Sequence, residues 1–122
     1  MPLLTDNLSN NDKILFADWI KVRAVVHDLT GKRPDINGML YLIGMNEFGT
    51  VKEFSKEEKQ DLMHIGLCTI FKDIFYKFEY KDEEGWLHFE PITDFERIEI
   101  REQENLIKEK VIAYFKSNNL IE

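Results

Sequence analysis

The segment YKFEYKDEEGWLHFE, residues 76–90, decides the fold because it changes the hydrophobic period of the chain. Before it, apolar residues recur every three or four positions, as on one face of a helix. Within it, apolar and charged residues alternate, which is typical of β-strands. Gly85 closes the polar run DEEG and suits the positive φ of a tight turn. The segment therefore predicts a β-hairpin in an otherwise helical chain.

The hairpin pattern also predicts a register, in which Lys81 lies opposite Trp86. In this register the inner face is apolar and carries Tyr76, Phe78, Tyr80, Leu87 and Phe89. The outer face pairs Glu79 with His88 and Lys77 with Glu90, opposite charges that stabilise neighbouring strands. Trp86 and His88 then lie on the outer face, where an exposed tryptophan indicates a contact surface. The alternatives are that a helix covers this face, or that the preceding helix continues to Phe78.

Three helices are predicted before the hairpin and one after it. The first spans Asp12 to Leu29, with an apolar stripe of Leu15, Trp19, Val22, Val26 and Leu29. The second spans Ile36 to Phe48 between an N-cap at Asp35 and Gly49, and its mid-helix Gly44 predicts close approach of a neighbouring helix. The third begins at the capping box of Ser55 and Glu58 and is expected to reach Phe75. The fourth is expected to run from a second capping box, Thr93 and Glu96, to Lys116, with a stripe of Ile100, Ile107, Val111 and Tyr114.

The predicted fold class is mainly α (α+β), with three helices, a β-hairpin and a long C-terminal helix in one compact domain. A length of 122 residues allows one domain with a substantial core. The predicted boundaries are a loose N-terminal arm at 1–11, the helical domain at 12–117 with its hairpin near 76–90, and a C-terminal tail at 118–122.

Charge and composition restrict the class of partner and the compartment. The net charge is −7, from 16 basic and 23 acidic residues, and the basic residues form no patch, which disfavours nucleic acid. The single cysteine excludes an internal disulfide and fits a reducing compartment. The N-terminus lacks the pattern of a signal peptide, and no run approaches the roughly 18 apolar residues of a membrane span. We therefore expect a soluble, cytoplasmic protein without a membrane partner.

The third helix carries the candidate pocket residues Asp61, His64 and Cys68 within two turns. A helical projection places His64 within the apolar face of this helix, Cys68 at its edge and Asp61 on the polar border. The centre of that face is predicted at Met63, Leu67, Ile70, Ile74 and Phe78. As a zinc site the group lacks a fourth ligand, and as a nucleophile Cys68 would lie in apolar surroundings that keep a thiol inert. The interpretation we prefer is structural, with His64 hydrogen-bonded to a carboxylate beside a buried cysteine.

Glu104 is the fourth candidate pocket residue, because it projects into the apolar stripe of the last helix. A buried carboxylate needs a partner, and His64 is one candidate, which would form a small polar pocket. The alternative is that Glu104 extends to solvent at the edge of the helix. No phosphate loop, nucleophile elbow, zinc-protease motif or dinucleotide fingerprint occurs, so we predict no cofactor, no metal and no catalytic residue.

Three segments, INGMLYLIGMNEFG (36–49), FSKEEKQDLMHIGLCTIF (54–71) and GWLHFEP (85–91), resemble a family of small uncharacterised bacterial proteins. The resemblance covers most of the chain. It implies no activity, cofactor or site residue.

The leading functional hypothesis is a non-catalytic protein-interaction or accessory module that binds another protein or a second copy of itself as a homodimer. One alternative is a winged-helix-like nucleic-acid-binding regulator, since three helices followed by a hairpin is the order of elements in that fold. Against it, the start of the third helix and the hairpin turn are acidic where a groove reader needs basic or polar donors. The other alternative is a small ligand-binding protein or enzyme with a His64/Glu104 pocket.

Overall fold

A computed structural model describes residues 10–50 and 52–121 and contains four helices and one hairpin. The helices are α1 (Asn10–Thr30), α2 (Ile36–Phe48), α3 (Lys56–Ile70) and α4 (Ile100–Ser117). The strands are β1 (Tyr76–Lys81) and β2 (Leu87–Pro91), which pair antiparallel, and a short 3₁₀ helix spans Phe95–Arg97. The mainly helical fold class with a hairpin and a C-terminal helix is confirmed. The predicted arm at 1–11 falls mostly outside the described residues, and the other domain boundaries stay predictions.

The ends of α2 and the start of α3 follow the capping signals in the sequence. Asp35 accepts a hydrogen bond from the backbone N–H of Gly38, and Gly49 closes α2 with a φ of 82°. Ser55 and Glu58 form the reciprocal capping box of α3. The hydrogen bond from the Ser55 N–H lowers the pKa of Glu58, desolvation opposes this shift, and the nearby Lys52 ammonium lowers the pKa further. Local side-chain hydrogen bonds therefore fix the starts of α2 and α3, and the left-handed conformation of Gly49 ends α2.

Two other helix ends differ from the prediction. Helix α3 ends at Ile70 rather than Phe75, because the carbonyl of Phe71 accepts the N–H groups of Ile74, Phe75 and Tyr76 in a tight turn. Asp73 takes a φ of 66° in this turn, so the helix continues neither to Phe75 nor to Phe78. Helix α4 begins at Ile100 rather than near Thr93, because a 3₁₀ turn occupies the intervening segment. Ile100, predicted in the apolar stripe, is consequently 72% exposed, while Ile107 and Val111 are buried.

Helices α2 and α3 pack at two glycines. A Cβ at Gly44 would overlap the backbone carbonyl of Leu62, and a Cβ at Gly66 would overlap that of Leu40. Each helix thus presents a glycine to the backbone of the other, and both glycines are buried. This confirms the close approach predicted at Gly44.

The chain divides into two units by its own contacts, and each has buried apolar residues. Among the described residues, the first unit comprises 10–34 and 112–121. Its buried side chains include Trp19, Val22, Val26, Ile112 and Phe115. Lys116 pairs with Asp18 in this unit at 3.5 Å. Leu29, assigned to the buried stripe of the first helix, is exposed. The second unit, 35–111, contains α2, α3 and the hairpin. One cluster of its core comprises Phe48, Phe54, Leu62 and Ile65, against which Tyr41, Met45, Trp86, Leu87 and Phe89 pack.

Candidate functional site

The turn of the hairpin is built around the side chain of Asp82. Its Oδ1 accepts the backbone N–H groups of Glu84 at 3.0 Å and Trp86 at 2.9 Å. Its Oδ2 lies 2.9 Å from Nε2 of His88, and Gly85 takes the predicted positive φ. The hydrogen bond from His88, followed by that from the Trp86 N–H, lowers the pKa of Asp82. One carboxylate therefore fixes both the turn and the imidazole that follows it.

A β-bulge at Glu79 changes the predicted register. Phe78 lies opposite Phe89 and Lys77 opposite Glu90, as expected, but beyond the bulge Tyr80 pairs with His88 and Lys81 with Leu87. The predicted partnerships of Lys81 with Trp86 and of Glu79 with His88 are therefore wrong. Because successive residues of a strand point to opposite faces, one extra residue moves Tyr80 from the inner face to the outer face.

Tyr80 and His88 form a stacked pair on the outer face of the hairpin. Their ring centroids are 4.4 Å apart and the ring planes differ by only 7°. Tyr80 is 53% exposed, and the imidazole of His88 is held by Asp82. We use the name outer face for the surface formed by Lys77, Glu79, Tyr80, His88 and Glu90. It presents an aromatic pair whose orientation is fixed by the strand pairing and by one hydrogen bond.

Trp86 belongs to the opposite side of the hairpin. Its ring lies 4.7 Å from that of Phe48 and 6.4 Å from that of Phe54, and it is half-buried. The prediction that Trp86 lies beside His88 on the outer face is wrong, because the bulge leaves Trp86 at the turn, where it packs on the end of α2. Tyr80, which sequence reasoning assigned to the inner face, takes the exposed position. An alternating pattern looks the same with and without one bulged residue, so the sequence carried no clear signal for this exchange.

The exposure of the three candidate residues on α3, His64, Cys68 and Asp61, differs from that expected from the helical projection. Cys68 is fully buried, whereas His64 and Asp61 are exposed. The buried face of α3 is centred on Leu62, Ile65 and Gly66, so the predicted centre at Met63 and Leu67 is wrong. The expectation used Ile74 and Phe78 as part of one helical stripe, and both lie beyond the end of α3.

The contact between His64 and Cys68 is a hydrogen bond at the edge of the core. The Cys68 Sγ lies 3.4 Å from Nε2 of His64, and the His64 ring packs edge-on against Tyr76 at 5.8 Å. Burial raises the pKa of Cys68 to about 12. The thiol therefore keeps its proton and can donate to the imidazole, which gives a structural contact and a poor nucleophile. Sequence reasoning expected a carboxylate as the partner of His64, and the structure supplies a thiol.

Glu104 is exposed on α4, and within the described residues no hydrogen bond or ion pair joins it to His64. Among residues 10–50 and 52–121, no three His, Cys, Asp or Glu side chains are grouped as metal ligands. No helix in this part of the chain is long and apolar enough to cross a membrane. The pairing of His64 with Glu104 stays a prediction.

Two of the hollows within the described residues of the second unit are large enough to consider, and neither is lined by His64 or Glu104. The larger, about 310 Å³, is lined by Tyr76, Pro91, Ile92, Thr93, Asp94 and Phe95. Its carboxylate, Asp94, already pairs with Arg97 at 3.1 Å. The smaller, about 140 Å³, is lined by Glu47, Thr69, Lys72, Phe78, Leu87 and Phe89. The outer face of the hairpin, with its fixed and exposed rings, is therefore the better candidate site.

Comparison with known proteins adds no family to these observations. No family model, curated protein or solved structure matches the chain. The resemblance to a bacterial family stays a hypothesis, and function is argued from the geometry of the hairpin alone.

Proposed function

We propose that this protein is a non-catalytic protein-interaction module whose contact surface is the outer face of the hairpin. The observation that carries the proposal is the exposed, stacked pair of Tyr80 and His88. A large aromatic side chain contributes apolar area and a polar tip, the combination enriched at the energetic centres of protein interfaces. The pair lies opposite the buried face of the hairpin, so a partner can reach it without disturbing the core.

The rigidity of the hairpin supports this function. Asp82 fixes His88, His88 stacks on Tyr80, and the inner face is anchored through Trp86 against Phe48. A surface that is ordered before binding loses less conformational entropy when the partner arrives. The outer face is thus organised for recognition before any partner is present.

The charge of the hairpin favours a protein over a nucleic acid as the partner. The outer face carries Glu79 and Glu90, and the adjoining turn carries Glu83 and Glu84. These carboxylates repel a phosphate backbone, whose contacts supply most of the affinity in nucleic-acid binding. The winged-helix hypothesis therefore gains no support from this surface.

The test is selection of peptides from a random display library on the purified protein, followed by affinity measurements with variants. We expect selected peptides to bind the Tyr80→Ala/His88→Ala double variant about thirtyfold more weakly than the wild type, which corresponds to the ~2 kcal/mol of an interface hot spot. Phe16→Ala is the matched control, since it removes an exposed aromatic ring from α1 instead. The control is expected to bind within about twofold of the wild type.

Circular dichroism and thermal melting must show that both variants fold. Selected peptides that bind the folded double variant as tightly as the wild type would contradict the proposal. A library that yields no binder would contradict it as well.

A further inference from the structure

The ring of Tyr80 has one covered side and one open side. His88 stacks against the first at 4.4 Å. Tyr80 is 53% exposed, and within the described residues no other ring stack, cation–π contact, hydrogen bond or ion pair involves it. The open side is a flat, electron-rich surface that a planar cation can stack upon.

The acidic residues of the hairpin outnumber its lysines, and four of them form no ion pair within the described residues. Residues 76–91 contain five acidic residues and two lysines, a net charge of −3 with His88 neutral. Lys77 lies opposite Glu90 in the register, yet no ion pair joins them. Over residues 10–50 and 52–121, the side chains of Glu79, Glu83, Glu84 and Glu90 form no ion pair at all. The strands and turn that carry Tyr80 thus have a net negative charge.

We propose that the occupant of the outer face is a basic protein segment that contributes at least one arginine. In the proposed complex the guanidinium stacks on the open side of Tyr80 and pairs with the carboxylate of Glu79, the bulge residue that precedes it. Arginine fits this pairing better than lysine, because its cation is planar, weakly hydrated and forked to match a carboxylate. This inference rests on the proposed function and adds the chemical class of the partner.

Charge complementarity decides between the classes of protein segment. An acidic segment would meet four unpaired carboxylates, and like charges at an interface oppose binding strongly. A purely apolar segment would leave those carboxylates partly desolvated and unpaired. A basic segment neutralises these carboxylates, and an arginine within it can also stack on the ring of Tyr80.

The experiment measures fluorescence anisotropy with three labelled ten-residue peptides in which glycine alternates with arginine, lysine or glutamate. We expect the arginine peptide to bind about threefold or more tightly than the lysine peptide, the ratio given by one exposed cation–π contact. The glutamate peptide is expected not to bind. Binding of both basic peptides should weaken as the salt concentration rises.

Variants at Tyr80 separate stacking from net charge. Tyr80→Phe keeps the ring and is expected to keep the preference for arginine, whereas Tyr80→Leu keeps apolar bulk and is expected to lose it. Glu79→Gln is expected to weaken binding of the arginine peptide more than Glu53→Gln does. Glu53→Gln is the control, because it removes an exposed carboxylate from the loop before α3. Equal binding of the arginine and lysine peptides, or an unchanged preference in Tyr80→Leu, would overturn the inference.

The two proposals fail in different ways. Display peptides that depend on the outer face but contain no basic residue would overturn the choice of arginine and leave the interaction module standing. Display peptides that ignore the outer face would overturn the module itself. An arginine preference that persists in Tyr80→Leu would show that the stacking site lies elsewhere.

Discussion

Asp82 is the residue on which the geometry of the outer face depends. It accepts two backbone N–H groups of the turn with one oxygen and bonds His88 with the other. The sequence already indicated a turn at residues 82–85, since polar residues before a glycine are typical of one. It did not indicate the bond to His88, because that contact depends on a register altered by the bulge.

At this scale we predict that Asp82→Asn lowers the melting temperature by a few degrees at neutral pH and weakens the ordering of His88. The pKa of Asp82 in the folded protein lies below its ordinary value of 3.8, so the ionised form stabilises the fold. This contribution of ionised Asp82 to stability is complete above the ordinary pKa of 3.8, and it disappears as the pH falls through the lowered pKa of the folded protein. The difference in melting temperature between wild type and variant should therefore shrink in acid.

Thermal melting at several values between pH 7 and pH 2 measures this effect. Glu83→Gln is the matched control, because it removes a neighbouring carboxylate that forms no ion pair within the described residues. A difference between wild type and Asp82→Asn that stays constant across the whole range would be inconsistent with the role assigned to Asp82.

Among the elements, the crossing of α2 and α3 was predictable in part. A glycine inside an apolar helix is costly, so Gly44 correctly indicated a close neighbour. Gly66 carries the same signal, and with both glycines taken together the buried face of α3 could have been assigned correctly. The helical projection of α3 was wrong because the hydrophobic residues after Ile70 belong to a turn and a strand. The rotation of about 100° per residue in a helix does not apply to them. The bulge at Glu79 was not predictable, since alternation alone does not reveal one extra residue.

We predict that Gly44→Ala and Gly66→Ala each lower the free energy of unfolding by about 3 kcal/mol, near the upper end for an overpacked core. In each case the added methyl group overlaps the backbone carbonyl of the facing helix, which cannot move without separating the helices. Gly31→Ala is the comparison, because its Cβ would meet open space and only its φ of 78° opposes the change. It is expected to cost about 1 kcal/mol.

Urea denaturation followed by circular dichroism measures the three variants. Costs at Gly44 and Gly66 no larger than at Gly31 would show that the helices can separate without penalty, and would contradict the packing described here.

For the whole molecule, the net negative charge favours solubility, and part of it is concentrated on the hairpin. A net charge of −7 favours solubility, and the hairpin contributes −3 of it over 16 residues. The sequence predicted the hairpin, its outer face and His88 as a contact residue. It assigned the neighbouring ring to Trp86, and the structure gives that position to Tyr80. Function was less accessible than fold, because the sequence contains no recognised catalytic motif and a proposed contact surface has no fixed spacing of residues to recognise.

The central claim is that a partner binds the outer face of the hairpin. The most direct measurement is a titration of the ¹⁵N-labelled protein with the arginine–glycine peptide, followed by nuclear magnetic resonance of the backbone amides. We predict that the largest shifts fall at Glu79, Tyr80, His88 and Glu90, and that in Tyr80→Leu the arginine–glycine peptide binds no more tightly than the lysine–glycine peptide. Shifts centred on another surface, such as the exposed Phe16 and Ile20 of α1, would contradict the account.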